Sequence, residues 1–205
     1  MQHRHLTAVA TALAAAFTAL PALAETPFVG KTGPLRFEVD SAKSQMTFNA
    51  DTVAEKVGGI CKGVTGSFAV ADAAAPEGTT GTISVPVAKM ESGNAMRDEH
   101  MRKPEWLNAA AHPNITFAIT KVSELKAAGT TATGKAIGRF TLNGVTKDIR
   151  APVEIKYAAE KNMVKITTDL KVPLLDYGIK GSAGTVGDKV AAVVTVKCTV
   201  FAAAK

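Results

Sequence analysis

Residues 141–157, TLNGVTKDIRAPVEIKY, decide the fold. Asn143-Gly144 is the pair favoured where both central residues of a two-residue hairpin turn need positive φ. Beyond it Ile149, Ala151, Val153, Ile155 and Tyr157 alternate with Asp148, Arg150, Glu154 and Lys156. Strict alternation over this length is the mark of a strand with one dry and one wet face.

The same period of two recurs on both sides. LRFEV (35–39) places Leu35, Phe37 and Val39 on one face; SQMTFNA (44–50) does so with Met46, Phe48 and Ala50, VTGSFAV (64–70) with Val64, Phe68 and Val70, and TISVPV (82–87) with Ile83, Val85 and Val87. Pro86 lacks an N–H and belongs at an edge, a bulge or a non-bonded ladder position. Downstream come ITFAITKV (115–122), TTATGKAIGRFTL (130–142), the opening hairpin, MVKITTDLKV (163–172) and DKVAAVVTVKCTVF (188–201). Between the third and fourth strands counted from Ser44, residues 92–114 lose the alternation and carry helix formers, which predicts a helix or pair of turns over 95–109.

About eight mostly sequential strands make an all-β, antiparallel domain, either a closed barrel or a two-sheet sandwich. The segments after residue 130 reach roughly ten residues, beyond the usual mode of about 5 to 6, which favours the barrel. At about eight strands the interior is either filled by side chains or just wide enough for one small ligand. The inward set Ala132, Gly134, Ala136 and Gly138 contributes little volume, so these positions either leave a cavity or mark bends packed by large partners opposite.

The first 24 residues, MQHRHLTAVATALAAAFTALPALA, have Arg4 before an Ala/Leu-rich run and end in Ala22-Leu23-Ala24, the pattern of an export signal cleaved after Ala24. Thr18 and Pro21 break the run, which argues against a stable membrane anchor. Residues 25–34 read as a lead and 35–203 as the domain. The net charge of +6 falls to +5 without the signal, and the lysines are spread rather than clustered or interleaved with aromatics, so nucleic acid is not an expected partner.

Several chemistries lack their patterns. His100 and His112, with Asp98 and Glu99, do not have zinc-protease spacing, no nucleophile-elbow sequence is present, and GTVGDK (184–189) lacks the phosphate-loop ending, so neither metal, cofactor nor enzymatic activity is expected. An oxidising compartment makes a disulfide the default for two cysteines. Here Cys198 should lie beside the start of the first strand near Thr47, with Cys61 past that strand's far end, so the expectation is two free thiols or an intermolecular link.

RDEHMRKPEWLNAAAHPNITF (97–117), DSAKSQMTFNA (40–50), the G-x-F strand in VTGSFAV, TGKAIGRFTLNGVTKDI (133–149) and DYGIKG (176–181) together resemble the YceI-like family of exported lipid-binding proteins, in the family's order from about Leu35 to Phe201. Three departures are visible: the loop TVAEKVGGICKG (52–63) is long and lacks a His, Trp106-Leu107 stands where an aromatic pair is usual, and His112 replaces a Tyr before Pro113.

The resemblance implies an eight-stranded antiparallel lipocalin-like barrel with a helical insertion between the third and fourth strands. It also implies an amphipathic lipid partner such as a polyisoprenoid held inside, in the periplasm. Candidate lining residues are Met46, Phe48, Phe68, Ile83, Val85, Phe117, Gly134, Ala136, Phe140, Ile155, Ile166, Leu170 and Val194. Arg97 and His100 are candidates for a head group at the rim, or for hydrogen bonds that fix the helix there together with Asp98. A barrel simply filled by its own side chains and acting through its surface is the competing reading, and exposed strands or the helix leave room for a homodimer.

Overall fold

The computed structural model describes residues 26–181 and 186–205. The expected signal, residues 1–24, lies outside them. Among the described residues the strands are β1 (Leu35–Val39), β2 (Gln45–Asn49), β3 (Gly58–Lys62), β4 (Thr65–Val70), β5 (Thr80–Pro86), β6 (Met90–Glu91), β7 (Asn114–Ala128), β8 (Thr131–Leu142), β9 (Val145–Ala158), β10 (Met163–Pro173) and β11 (Val193–Ala204), with one α-helix, α1 (Ala95–Met101).

Ladder pairing runs β1-β4-β5-β7-β8-β9-β10-β11 and returns from β11 to β1, a closed antiparallel barrel of eight staves. The first three staves are each broken in two. β11 shares one edge between β2, along Thr195 to Thr199, and β1, along Ala202 to Ala204. β3 and β6 continue outward from β2. The helical insertion therefore falls between the third stave (β5 with β6) and the fourth (β7). It fits the expectation of a helix or pair of turns over 95–109: α1 stops at Met101, and turns carry the chain on past Pro104.

Each break leaves backbone groups without ladder partners, and buried ones need a substitute. Between β1 and β2 the substitute is Ser44, only 1% exposed. Its hydroxyl accepts from Phe201 N at 2.9 Å and donates to Phe201 O at 3.2 Å, stitching β11 across the gap. The strand β3 itself was not legible as alternation, because GGICK offers two glycines before its one buried residue, Cys61.

The Asn143-Gly144 turn has positive φ at both positions, 49° and 76°, as the hairpin reading requires. Gly134 and Gly138 resolve toward close approach and not toward open space. A Cβ on Gly138 would strike the Ala118 carbonyl, and one on Gly134 would meet Ser123 O at 3.0 Å and Leu125 Cδ2 at 3.1 Å. Both glycines face irregularities in β7, where register shifts between Ile119 and Lys121 and again between Ser123 and Lys126. Pro86 ends β5 opposite Asn114, a position compatible with its missing N–H.

Candidate ligand cavity

A cavity of about 660 Å³ occupies the barrel interior. Alternation puts its wall in place. Of the candidates, Met46 and Phe48 (β2), Phe68 (β4), Ile83 and Val85 (β5), and Phe117 (β7) line it. So do Ala136 and Phe140 (β8), Ile155 (β9), Ile166 and Leu170 (β10), and Val194 (β11). Gly134 does not line it, because Leu125 covers the position its side chain would take.

Leu125 is a wall residue that sequence reading missed. Counting by twos from Ile115 reaches Phe117 and Ile119, but the two register shifts change the inward parity, first to Val122 and then to Leu125. Glu124, in the second irregularity, has φ 54°. It is held by Lys135 at 2.7 Å, and that hydrogen bond, more than the field of Arg150, draws its carboxyl below the usual range. No alternation signal predicts a bulge built on a glutamate.

One end of the barrel is shut by the lead segment. Thr26 donates from its hydroxyl to Ala73 O at 2.6 Å, and Phe28, 3% exposed, enters the barrel end. There its ring stacks on Phe37 at 5.9 Å and meets Tyr157 edge-on at 5.3 Å, while Phe37 stacks on Phe68 at 5.0 Å. Pro27 and Phe28 form the cavity floor.

The opposite end is the mouth, lined by Glu55 from the β2–β3 loop, by Asn94, Met96, Arg97, His100 and Met101 around α1, by Trp106 and Leu107, and by Lys189. Asn94 caps α1, its side chain accepting from Arg97 N at 3.0 Å. Asp98 takes two hydrogen bonds from Ser92, at 2.7 and 2.6 Å, and Arg102 donates to Met90 O at 3.1 Å. These two residues anchor the helix. Arg97 reaches across to Glu55 at 3.1 Å and so ties α1 to the loop on the other side of the opening. His100 lines the mouth, whereas His112 packs against the Gly144 turn.

Both cysteines are free. Their geometry differs from the expectation: Cys198 is opposite Met46, as foreseen within one residue, but the antiparallel return of β3 also brings Cys61 opposite Met46. The thiols are thus separated sideways by one intervening strand, about 10 Å between Cα atoms at two strand spacings, and not lengthwise. That still exceeds the roughly 7 Å limit for a bridge. Burial pushes the Cys61 thiol up to about 11 and Cys198 up to about 12, the latter helped by its neighbour Cys61. Cys198 is the less buried of the two, but it lines the apolar cavity, so its exposed surface faces little solvation.

Among the described residues no helix is long and apolar enough to cross a membrane.

The model of the YceI-like domain matches residues 37–201. A UPF0312 protein of Azotobacter vinelandii is 31% identical over 138 residues, 64% of this chain and 68% of that protein. A UPF0312 protein of Ectopseudomonas mendocina is 36% identical over 91 residues, 44% of this chain and 45% of that one. Among solved structures, Burkholderia cenocepacia BcnA superposes with a TM-score of 0.66 at 19% identity, over 80% of this chain and 98% of that one. A polyisoprenoid binding domain from Saccharophagus degradans, implicated in plant cell wall breakdown, gives 0.66 at 15% identity, over 83% and 99%. At such identities the likeness is one of fold.

Proposed function

Because the chain belongs to the YceI-like family, we propose that it binds the apolar chain of an amphipathic lipid, a polyisoprenoid or similar molecule, inside the barrel, without catalysis, for transport, storage or sensing. The observation that carries this reading is the cavity: about 660 Å³, walled by aliphatic and aromatic side chains, floored by Phe28 and open at a mouth that gathers Glu55, Arg97, His100 and Lys189.

Magnitudes narrow the ligand. Micromolar affinity corresponds to about −8 kcal/mol, on top of an association cost of about 4 to 15 kcal/mol. At about 0.8 kcal/mol per buried methylene, the tail must bury on the order of 15 to 30 carbons. At about 30 Å³ per heavy atom, the share of a molecule in liquid water, the cavity of about 660 Å³ holds roughly twenty. A long chain fits both limits; a short acid fails the first. Arg97 and His100 would then meet the head group at the mouth, with Glu55 as the carboxylate that an anionic head must displace from Arg97. The pattern of residues 1–24 supports a periplasmic setting.

Titration with a fluorescent long-chain amphiphile, displaced by unlabelled polyisoprenoid, tests the reading against a cavity-filling variant. Ala136→Phe should lower affinity at least tenfold while the barrel stays folded by circular dichroism. Unchanged affinity in that variant, or no binding by the parent protein, would refute an internal site and favour a barrel that works through its surface.

A further inference from the structure

One row of wall side chains carries chemistry that a lipid tail does not use. Register sets Cys198 of β11 opposite Met46 of β2, Met46 opposite Cys61 of β3, and Cys61 opposite Met90 of β6. Four sulfur side chains therefore stand side by side on four successive hydrogen-bonded strands. All belong to the inward face: Met46, Cys61 and Met90 are buried, and Met46, Met90 and Cys198 line the cavity.

Cys61 is the centre of the row, with a methionine on each side. Directly opposed residues have Cβ atoms about 4.5 to 5.5 Å apart, within reach of an unbranched thioether with three rotatable bonds. In the structure the Cys61 thiol donates only to carbonyl oxygens, Pro86 O at 3.3 Å and Lys62 O at 3.5 Å, which hold a thiol weakly. Access runs through the cavity. Exposed Met96 at the mouth and Met101 behind it bring to four the methionines that line the cavity, out of five among the described residues.

The donor set selects its ion. Among the described residues no group of three or more His, Cys, Asp or Glu is placed to hold a metal, and the four residues in register along the row all carry sulfur. Thiolate with thioether suits Cu(I), whereas structural Zn(II) takes four thiolate, imidazole or carboxylate ligands. Charge points the same way. The Cys61 thiolate and one monovalent cation make a neutral pair that an apolar wall tolerates, while a divalent ion held by Cys61 and its flanking thioethers would leave an uncompensated buried charge, the Cys198 thiol standing one strand further off.

We propose that Cys61, flanked by Met46 and Met90 and backed by Cys198, forms a Cu(I) site in the barrel wall, reached from the ligand cavity. Cu(I) takes the Cys61 sulfur as thiolate, the thiol proton passes to solvent, and the thioethers donate lone pairs; no electron is transferred. The proposal is independent of the lipid reading.

The test is anaerobic titration of the reduced protein with Cu(I) presented by a chromophoric chelator, followed by copper X-ray absorption. The expected result is one equivalent of copper withdrawn from the chelator, with sulfur-only coordination. Cys61→Ser and the volume-preserving double variant Met46→Leu/Met90→Leu should each weaken binding by at least the roughly 10- to 100-fold that loss of even an outer partner costs a metal site. Met163→Leu, outside the row, should leave it unchanged. Failure to withdraw copper, nitrogen or oxygen ligands in the spectrum, or equal affinity in the methionine double variant, the last read alongside its retained thermal transition, would overturn the site.

Discussion

The barrel's two halves are made differently. From β7 to β11 each stave is one continuous strand of eleven to fifteen residues, joined by short hairpins or a short connection up to β10. From β1 to β6 each stave is two short pieces, and the connections leaving those staves, the β2–β3 loop and α1, shape the mouth. Both halves line the cavity; the broken half adds most of the rim and three of the four sulfur residues, and the lead segment before it supplies the floor. A closed sheet can lose ladder bonds on one side provided that side chains replace them at the breaks and the other side stays unbroken.

The largest expected effect comes from disturbing the continuous half at its tightest point. Gly138→Val forces a side chain into the Ala118 backbone and separates β7 from β8; a loss of about 3 kcal/mol or more in chemical denaturation is expected. A loss below about 1 kcal/mol would mean that β7 can shift at its bulge. Phe28→Ala comes next. It empties the floor of an aromatic contact and should cost about 3 kcal/mol, near the low end for a buried phenylalanine because the lead segment is terminal. The same variant should speed release of a bound amphiphile, since it opens a second exit. Ser44→Ala probes the repair of a break: it strips the Phe201 N–H of its acceptor, while Phe201 O keeps Asp40 N at 2.8 Å, and should cost about 1 to 3 kcal/mol.

A pH effect probes the seam between the halves, because one thiol stands on each side of it, Cys61 on β3 and Cys198 on β11. Their folded pKa values are raised from 9.0 to about 11 and about 12 by burial, so the unfolded chain ionises first as pH rises. Between pH 9 and 11 the unfolded state thus binds fewer protons than the native one, and stability must fall with rising pH. Alanine at both cysteines should flatten that part of the profile; urea melts across the range report it. The smallest effect is at the rim. Arg97→Ala removes a partly exposed ion pair with Glu55 and should change stability by less than about 1 kcal/mol.

Legibility in the sequence follows the same division. In β8 to β10 alternation identified the strands and, Gly134 apart, their inward face, and the Asn143-Gly144 hairpin fell where its φ angles demanded. Phe28, Ser44 and Leu125 were not legible, each for a physical reason. Phe28 sits in a segment without periodicity and acts by plugging an end. Ser44 acts through a backbone gap that only the fold creates. Leu125 owes its direction to two bulges that reset the parity of β7. Gly134 was misplaced for the same reason, its apparent space being taken by Leu125. The rim residues Arg97 and His100 were nameable from the motif around them, but the Glu55 partner was not, since 42 residues separate the pair.

Native mass spectrometry of the protein purified without detergent from its own compartment, followed by organic extraction, tests the central claim most directly. A single co-purifying long-chain lipid at one per barrel is the predicted result. A bare polypeptide mass that stays bare after incubation with polyisoprenoid and fatty amphiphiles would contradict it.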